Sequence, residues 1–463
     1  MSIFEELRAL DDIDELRGPR FTSGIPLWPL IRWFATSAAL ERVHRLQTPF
    51  ATGRPRRARE LVVLVARALV RSPLLVRRSF DVVIASNSGG LVVQREGRWF
   101  DRINDYFAGE LPDRTLVLDT LLHGAKQPRY VPHVRYSDAF DVLAGIGARL
   151  RRPRDADLGA VDHALAAIRT HFPVALDAGA LASIRDQLVS WAARLPFFHD
   201  LYRRFFDRVQ PRVMLIQGAS HGALAHVCTW ARAAGIITAE PQHGIISRSH
   251  LAYNYGSRLL ADDDFARCLP QHLLVYGAFW AGEIRSASAI DVIGCPHFSE
   301  TARVRRGTGV NVLVVSQGIC TDLMVRLTTA IAQRFPRRRC VFRVHPGELA
   351  FRERYASLAG LANVELSERG DIYEQLAAAS AVVGYSSMAL VEACGLGLPV
   401  FVYDDETTRA YLPRQVGTRF RSADELLGLL VLPTPAAVDP TAFFAADWRE
   451  RYRDFVMYCR PPS

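Results

Sequence analysis

Apolar residues in this chain gather into short runs, each closed by a turn containing glycine, proline or small polar residues and followed by a longer stretch with helical spacing. Such alternation predicts strands buried on both faces of a parallel sheet, joined by crossover helices. The predicted strands are 80–85, 114–119, 211–217, 235–240, 272–277 and 291–296, and then 311–315, 340–345, 381–384 and 400–403. Residues 160–206 carry Leu, Ile, Trp and Phe at helical intervals and are expected to cover the first sheet. Further helices are expected at 223–233, 371–379 and 388–394. The first 45 residues read as helical, broken at Gly18-Pro19 and near Gly24-Ile25-Pro26, and the aromatic run 26–34 either packs on the domain, the reading placed ahead, or dips into a membrane surface.

A chain of 463 residues exceeds one ordinary core, so the two groups of strands predict two α/β domains. In doubly wound sheets, ligands collect at the loops beyond the strand C-termini. Strand 340–345 brings Arg343 and His345 to one face before Pro346-Gly347 stops it. Strand 381–384 runs into Tyr385-Ser386-Ser387, where Ser387 is a natural N-cap. The free N–H groups of that helix start suit a phosphate, and Glu392, five residues on, suits a sugar hydroxyl. Gln317-Gly318 forms the first such loop of the second half. In the first half, Ser86 to Gly90 follows one strand, Asp119 ends another, and His123-Gly124 comes soon after. His221 and His243 sit beside glycines in two successive strand-end loops, and Glu240 closes the strand leading to His243.

Together, His345-Pro346, Ser386-Ser387 and Glu392-Ala393 with Gly397-Leu398-Pro399-Val400 resemble the donor half of GT-B glycosyltransferases. The resemblance spans roughly residues 310–405 and is weaker over 211–298. It is most similar to bacterial enzymes of capsule assembly that take sugars from CMP, the sialyl-, polysialyl- and Kdo-transferases. CDP-glycerol polyol-phosphate transferases carry a comparable pair, and Gln242-His243-Gly244 also resembles a motif of these groups. The resemblance implies an α/β, GT-B-like fold, with two doubly wound Rossmann-like domains facing a central cleft. Residues 1–300 would form an acceptor-side domain with a helical, basic N-terminal extension, and 308–440 the nucleotide-sugar donor domain. The segment 441–463 would be a helix crossing back to the first domain. His345, Ser386 and Ser387 would hold the donor phosphate, joined by Arg343, Gln317 and Gly318, with Glu392 on the ribose.

The implied activity is transfer of a sugar from a nucleotide-activated donor, CMP-sugar ahead of UDP or CDP, to a surface polysaccharide or lipid-linked acceptor. The nucleotide-sugar is then a co-substrate, and no cofactor is expected. No Asp-x-Asp ends a strand, and Asp262-Asp263-Asp264 reads as a solvated loop, so no metal is expected. Candidates for the acceptor base are His243, Asp119 and Glu240; the acidic Asp/Glu-Asp/Glu-Gly motif of related sialyltransferases does not occur here, which leaves the base, the donor sugar and the stereochemical outcome open. Two alternatives share the fold. One is a UDP-sugar 2-epimerase, which resembles the chain over 392–400 but carries Ser-Gly-Gly where Ser386-Ser387-Met388 stands. The other is a non-catalytic partner in capsule assembly.

Charge adds one partner. The net charge is +9, yet Lys126 is the only lysine, and no recognition-helix, zinc-knuckle or RNP-like pattern points to nucleic acid. Ten arginines against the single acid Glu60 lie between residues 42 and 78, around an apolar run, 61–70, too short for the ~20 residues of a membrane span. This is either an interfacial helix on an anionic membrane or a core helix with a solvated basic face. Seven scattered cysteines argue for a reducing compartment, and the acidic start is not a signal peptide. The expected location is cytoplasmic, peripheral at the inner membrane face only on the interfacial-helix reading.

Overall fold

The computed structural model describes residues 2–44, 58–86, 92–121, 126–302, 309–349, 351–368, 370–431 and 439–459. Residues 87–90 of the Ser-Gly-Gly turn, His123-Gly124, and Arg45, Arg54, Arg56 and Arg57 of the basic segment lie outside them. Among the described residues the strands form two large parallel sheets and one hairpin. The first sheet runs in the spatial order Val134–Tyr136, Thr115–Asp119, Val82–Ala85, Val213–Ile216, Ile237–Pro241, His272–Val275, Ala289–Val292. The second runs Val364–Ser367, Cys340–Arg343, Asn311–Val315, Ala379–Gly384, Val400–Tyr403, Thr418–Phe420. Setting the hairpin aside, both follow the order third, second, first, fourth, fifth, sixth, with a seventh strand added at the edge of the first, which is the doubly wound pattern. The chain is therefore α/β, with two Rossmann-like domains facing a cleft in the GT-B manner.

The central strands are fully apolar because both faces are covered: Val82, Val83, Ile84, Val213, Leu215 and Ile216 are all at 0% exposure. On one face lie helices Asp138–Arg149 and Ala178–Val209; on the other lie hairpin strand Arg98–Asp101, helix Asp105–Glu110 and the last helix, Trp448–Tyr458. That last helix inserts Trp448, Tyr452, Phe455 and Val456 into the same cluster as Val82, Val117 and Val213. The connection to it passes close over two strand ends. At Gly277 an added Cβ would sit 2.3 Å from the Ala442 carbonyl oxygen. At Gly294, whose φ is +99°, it would sit 2.7 Å from that of Ala445.

The N-terminal segment packs on the first domain, since Leu27, Trp28 and Ile31 of helix Leu27–His44 are buried. Asp11 accepts from Trp28 Nε1 (3.0 Å) and Arg32 Nε (2.6 Å), and Arg32 in turn reaches the carbonyl of Asn254 (3.0 Å). Helix Ala58–Val70 differs: it buries Ala68 but turns Leu61, Val62, Val63 and Val70 outward. No helix among the described residues is long and apolar enough to cross a membrane. The acidic run is a helix start, with Asp262 accepting from the N–H groups of Asp264 and Phe265.

Gly294→Ala should cost about 2 kcal/mol or more, because it combines a left-handed φ with a backbone clash that no rotamer relieves. Urea unfolding of the variant against the parent measures it.

Candidate functional site

Both sheets present the C-terminal ends of their strands to one cleft, and the switch point of each lies between its first and fourth strands. In the second domain that point is closed by Gln317 and Ser386. The Gln317 Oε1 accepts from both the N–H (3.0 Å) and the hydroxyl (2.9 Å) of Ser386. Ser387 then caps helix Met388–Gly395, accepting from Ala389 N–H at 3.3 Å. On the neighbouring strand, His345 follows Arg343 and starts a short 3-10 turn, where its Nδ1 accepts from Gly347 N–H at 3.1 Å. Burial holds this imidazole below its usual pKa, against the pull of Glu348, so the neutral ring carries its proton on Nε2.

Arg343, His345, Ser387 and Glu392 line one cavity of about 440 Å³ between the domains. The strand therefore places Arg343 and His345 on the same wall as the cap serine. Arg343 also donates to the Gly370 carbonyl at 2.9 Å. Glu392 accepts from the Tyr373 hydroxyl at 2.6 Å, and burial pushes its carboxyl up. Ser386 and Gln317 face a smaller adjoining cavity of about 330 Å³, walled on the other side by Trp33 and Leu40. Gly318 opens instead on a third space, beside Arg326 and Arg354.

The first domain adds groups that sequence reasoning missed. Arg102, Tyr276 and His297 line the 440 Å³ cavity opposite Arg343 and His345. Arg102 is placed by its neighbour: the Asp101 carboxylate accepts from Ile103 N–H (2.8 Å), Ser86 Oγ (2.8 Å) and Asn104 Nδ2 (2.9 Å), pinning the loop after the hairpin. No sequence signal singles out this arginine from the other basic residues.

His243 enters the same cavity from the first domain. It sits over Glu240, which is 1% exposed, with Nδ1 3.8 Å from Glu240 Oε1. Glu240 accepts from Ser220 N–H (2.8 Å), Ser220 Oγ (2.5 Å) and the Tyr253 hydroxyl (2.8 Å). His221 lies beside them, its ring 5.6 Å from that of His243 and edge-on to Trp33 at 4.7 Å. Trp33 stacks on His250 at 5.0 Å. Gly222 fixes the His221 loop: its φ is +88°, and an added Cβ would lie 1.8 Å from the Pro29 carbonyl oxygen. One ligand atom each of His221, Glu240 and His243 falls within 4.8 Å of the others, so these three residues could hold a metal ion. Both Glu240 oxygens are already taken by protein donors, however, which fits the carboxylate to holding loops better than to binding an ion.

Two of the expected base candidates are corrected by burial. Asp119 is 0% exposed, bonded to Thr120 N–H (2.9 Å) and to Arg129, whose other nitrogen holds Asp105 at 2.7 Å. It is a buried ion-pair partner with no face on either cavity. Glu240 lies beneath His243 and is too enclosed to meet an acceptor itself.

Behind His243 lies a second cavity, of about 660 Å³, entirely within the first domain. Among the residues lining these two cavities, His243 alone belongs to both.

The fold and cleft define a two-domain GT-B-type protein. No protein-family model matches the chain, and no curated protein matches it. Among solved structures it is similar to a UDP-GlcNAc 2-epimerase from Methanocaldococcus jannaschii, at 10% identity over 83% of this chain and 100% of that one, with a TM-score of 0.47. It is likewise similar to a UDP-GlcNAc 2-epimerase from Neisseria meningitidis bound to UDP-GlcNAc, at 11% identity over 82% and 99% of the two chains, with a TM-score of 0.46. A third, MurG from Acinetobacter baumannii, matches at 11% identity over 77% and 90%, with a TM-score of 0.38.

His226, on the wall of the second cavity, has its pKa pushed down to about 3 by burial, from about 6.5 in the unfolded chain. The unfolded state then binds the extra proton, so stability is lost as pH falls from about 6.5 toward 3. Between pH 7.5 and pH 5, the parent should lose about 2 kcal/mol more than His226→Phe in urea titrations. An equal loss would show that the ring is not desolvated.

Proposed function

We propose that this protein is a glycosyltransferase that moves a sugar from a nucleotide-activated donor, bound in the interdomain cavity, to an acceptor hydroxyl delivered from the first domain. The observation that carries this reading is the position of His243, on the shared border of the two cavities. In the reaction the acceptor oxygen attacks the anomeric carbon and the bond from that carbon to the donor phosphate oxygen breaks. The acceptor proton passes to His243, and the bonding pair leaves on the phosphate. Glu240, 3.8 Å below, favours the imidazolium as it forms. The leaving phosphate would meet the His345 Nε2–H, the guanidinium of Arg343, the N–H groups at the start of helix Met388–Gly395, and Arg102 from the opposite wall. Glu392, anchored by Tyr373, would take a ribose hydroxyl. Gln317 would act by fixing Ser386, and so the start of the capped helix. The His-Pro and Ser-Ser resemblance favours CMP-sugar as the donor and a surface polysaccharide or lipid-linked acceptor.

A lipid-borne acceptor calls for a membrane-facing side. Helix Ala58–Val70 supplies one, with Leu61, Val62 and Val63 at 46%, 67% and 59% exposure next to Arg59 and Arg67. Apolar side chains flanked by cations suit the headgroup region of an anionic bilayer.

Calorimetric titration with CMP, CDP, UDP and GDP should show binding of at least one. His345→Ala, Ser387→Ala and Arg102→Ala should each weaken it about tenfold, the loss of one charge-assisted contact of ~1.4 kcal/mol. His243→Ala should leave nucleotide affinity intact and slow transfer by about 10²- to 10⁴-fold. Failure of all four nucleotides to bind would end the reading, and conversion of UDP-GlcNAc without an acceptor would mark an epimerase instead. In flotation with anionic vesicles, Leu61→Asp with Val62→Asp should release the protein; equal flotation of variant and parent would remove the membrane surface.

A further inference from the structure

The 660 Å³ cavity behind His243 falls in the size range of small-molecule sites. Its deep wall is aromatic. Helix Ala178–Val209 contributes Trp191, Phe198 and Tyr202, spaced seven and four residues apart, which places them on one helix face. Their rings surround His226 at centroid distances of 4.7, 5.6 and 6.2 Å. His226 is 2% exposed, and its Nδ1 has no hydrogen-bond partner. That nitrogen is sealed among the rings, so His226 acts here as a packing surface that holds the aromatic wall in place.

The opposite side of the cavity is polar, with Thr120 and Ser137 among its lining residues. No arginine or lysine lines it, in a chain that carries 57 of them. A phosphate or carboxylate would meet the Asp141 carboxylate here with no arginine or lysine beside it, and a hydrocarbon chain would strip water from the hydroxyls with nothing in return. A pyranose ring answers both walls. Its C–H face, slightly positive, meets the negative faces of the aromatic rings, and its hydroxyls meet the polar groups.

We infer that this cavity is a binding site for an uncharged sugar ring, with its C–H face on the aromatic wall of Trp191, Phe198 and Tyr202 and one ring hydroxyl presented to His243. That this sugar is the acceptor rests on the transferase reading; the sugar site itself does not depend on it. The site makes the acceptor end a neutral glycosyl unit, so the reaction that supplies it must leave an unmodified hydroxyl on an uncharged ring.

Saturation-transfer NMR on the full chain tests this with the methyl glycosides of glucose, galactose, mannose and N-acetylglucosamine, and with methyl glucuronide as the anionic probe. At least one neutral glycoside should bind and methyl glucuronide should not compete with it. Trp191→Ala and Phe198→Ala should each weaken binding tenfold or more while nucleotide affinity stays at the parent value, which also certifies that each variant is folded. The inference is overturned if no neutral glycoside binds, if glucuronide competes equally, or if both folded variants bind like the parent. Loss of the transferase reading would appear separately, as absence of nucleotide binding by the parent.

Discussion

One buried carboxylate organises the mouth of the first domain. Glu240 accepts from a backbone N–H and a hydroxyl of Ser220 and from the hydroxyl of Tyr253, so two strand-end loops converge on its two oxygen atoms. Burying an anion is expensive unless it is fully hydrogen-bonded, and these donors meet that condition. The same atoms set the height and orientation of His221 and His243 above them. Trp33, from helix Leu27–His44, then covers His221 and His250 from outside. The N-terminal segment is thus a wall of the site as well as part of the fold, held there by the buried Asp11–Arg32 pair.

The second domain solves a different problem with different means. Its cavity wall is assembled from strand ends, a cap serine and a helix start, which supply partial positive charge that needs no counter-ion of its own. Arg343 and Arg102 add full charges from opposite walls. A divided cradle of this kind is complete only when both domains face the ligand, which couples binding to the relation between them.

Much of the architecture was legible because central strands of parallel sheets read as unbroken apolar runs. Val213–Ile216, Asn311–Val315 and Val400–Tyr403 stand out on that ground alone. The edge strands did not: Val134–Tyr136, Val364–Ser367 and Thr418–Phe420 are three or four residues long, mix polar and apolar positions, and pair on one side only. The hairpin Val92–Arg95 and Arg98–Asp101 was missed although Glu96 and Gly97 both have positive φ, the geometry of a tight two-residue turn. The one long helical region expected at 160–206 is two helices, Asp155–His171 and Ala178–Val209. At the site, motif spacing singled out His345, Ser387 and His243. It could not separate exposed from buried acids, because the partners of Asp119 and Glu240 lie 10 to 20 residues away in other loops. Arg102 and His226 carry no local signature: one is aimed by the side chain before it, the other matters only through the rings packed around it.

The helix Trp448–Tyr458 has a consequence for how the chain is made. Its side chains complete the core beneath the first sheet, although more than a hundred residues of the second domain are synthesised in between. A domain that emerges first on the ribosome would ordinarily close first. Here one face of its sheet is covered only in part, by residues 98–110, until residues 448–458 emerge. The second domain must therefore mature as an insertion within an unfinished neighbour, and a chain stopped before residue 448 would leave part of the first sheet's apolar face exposed.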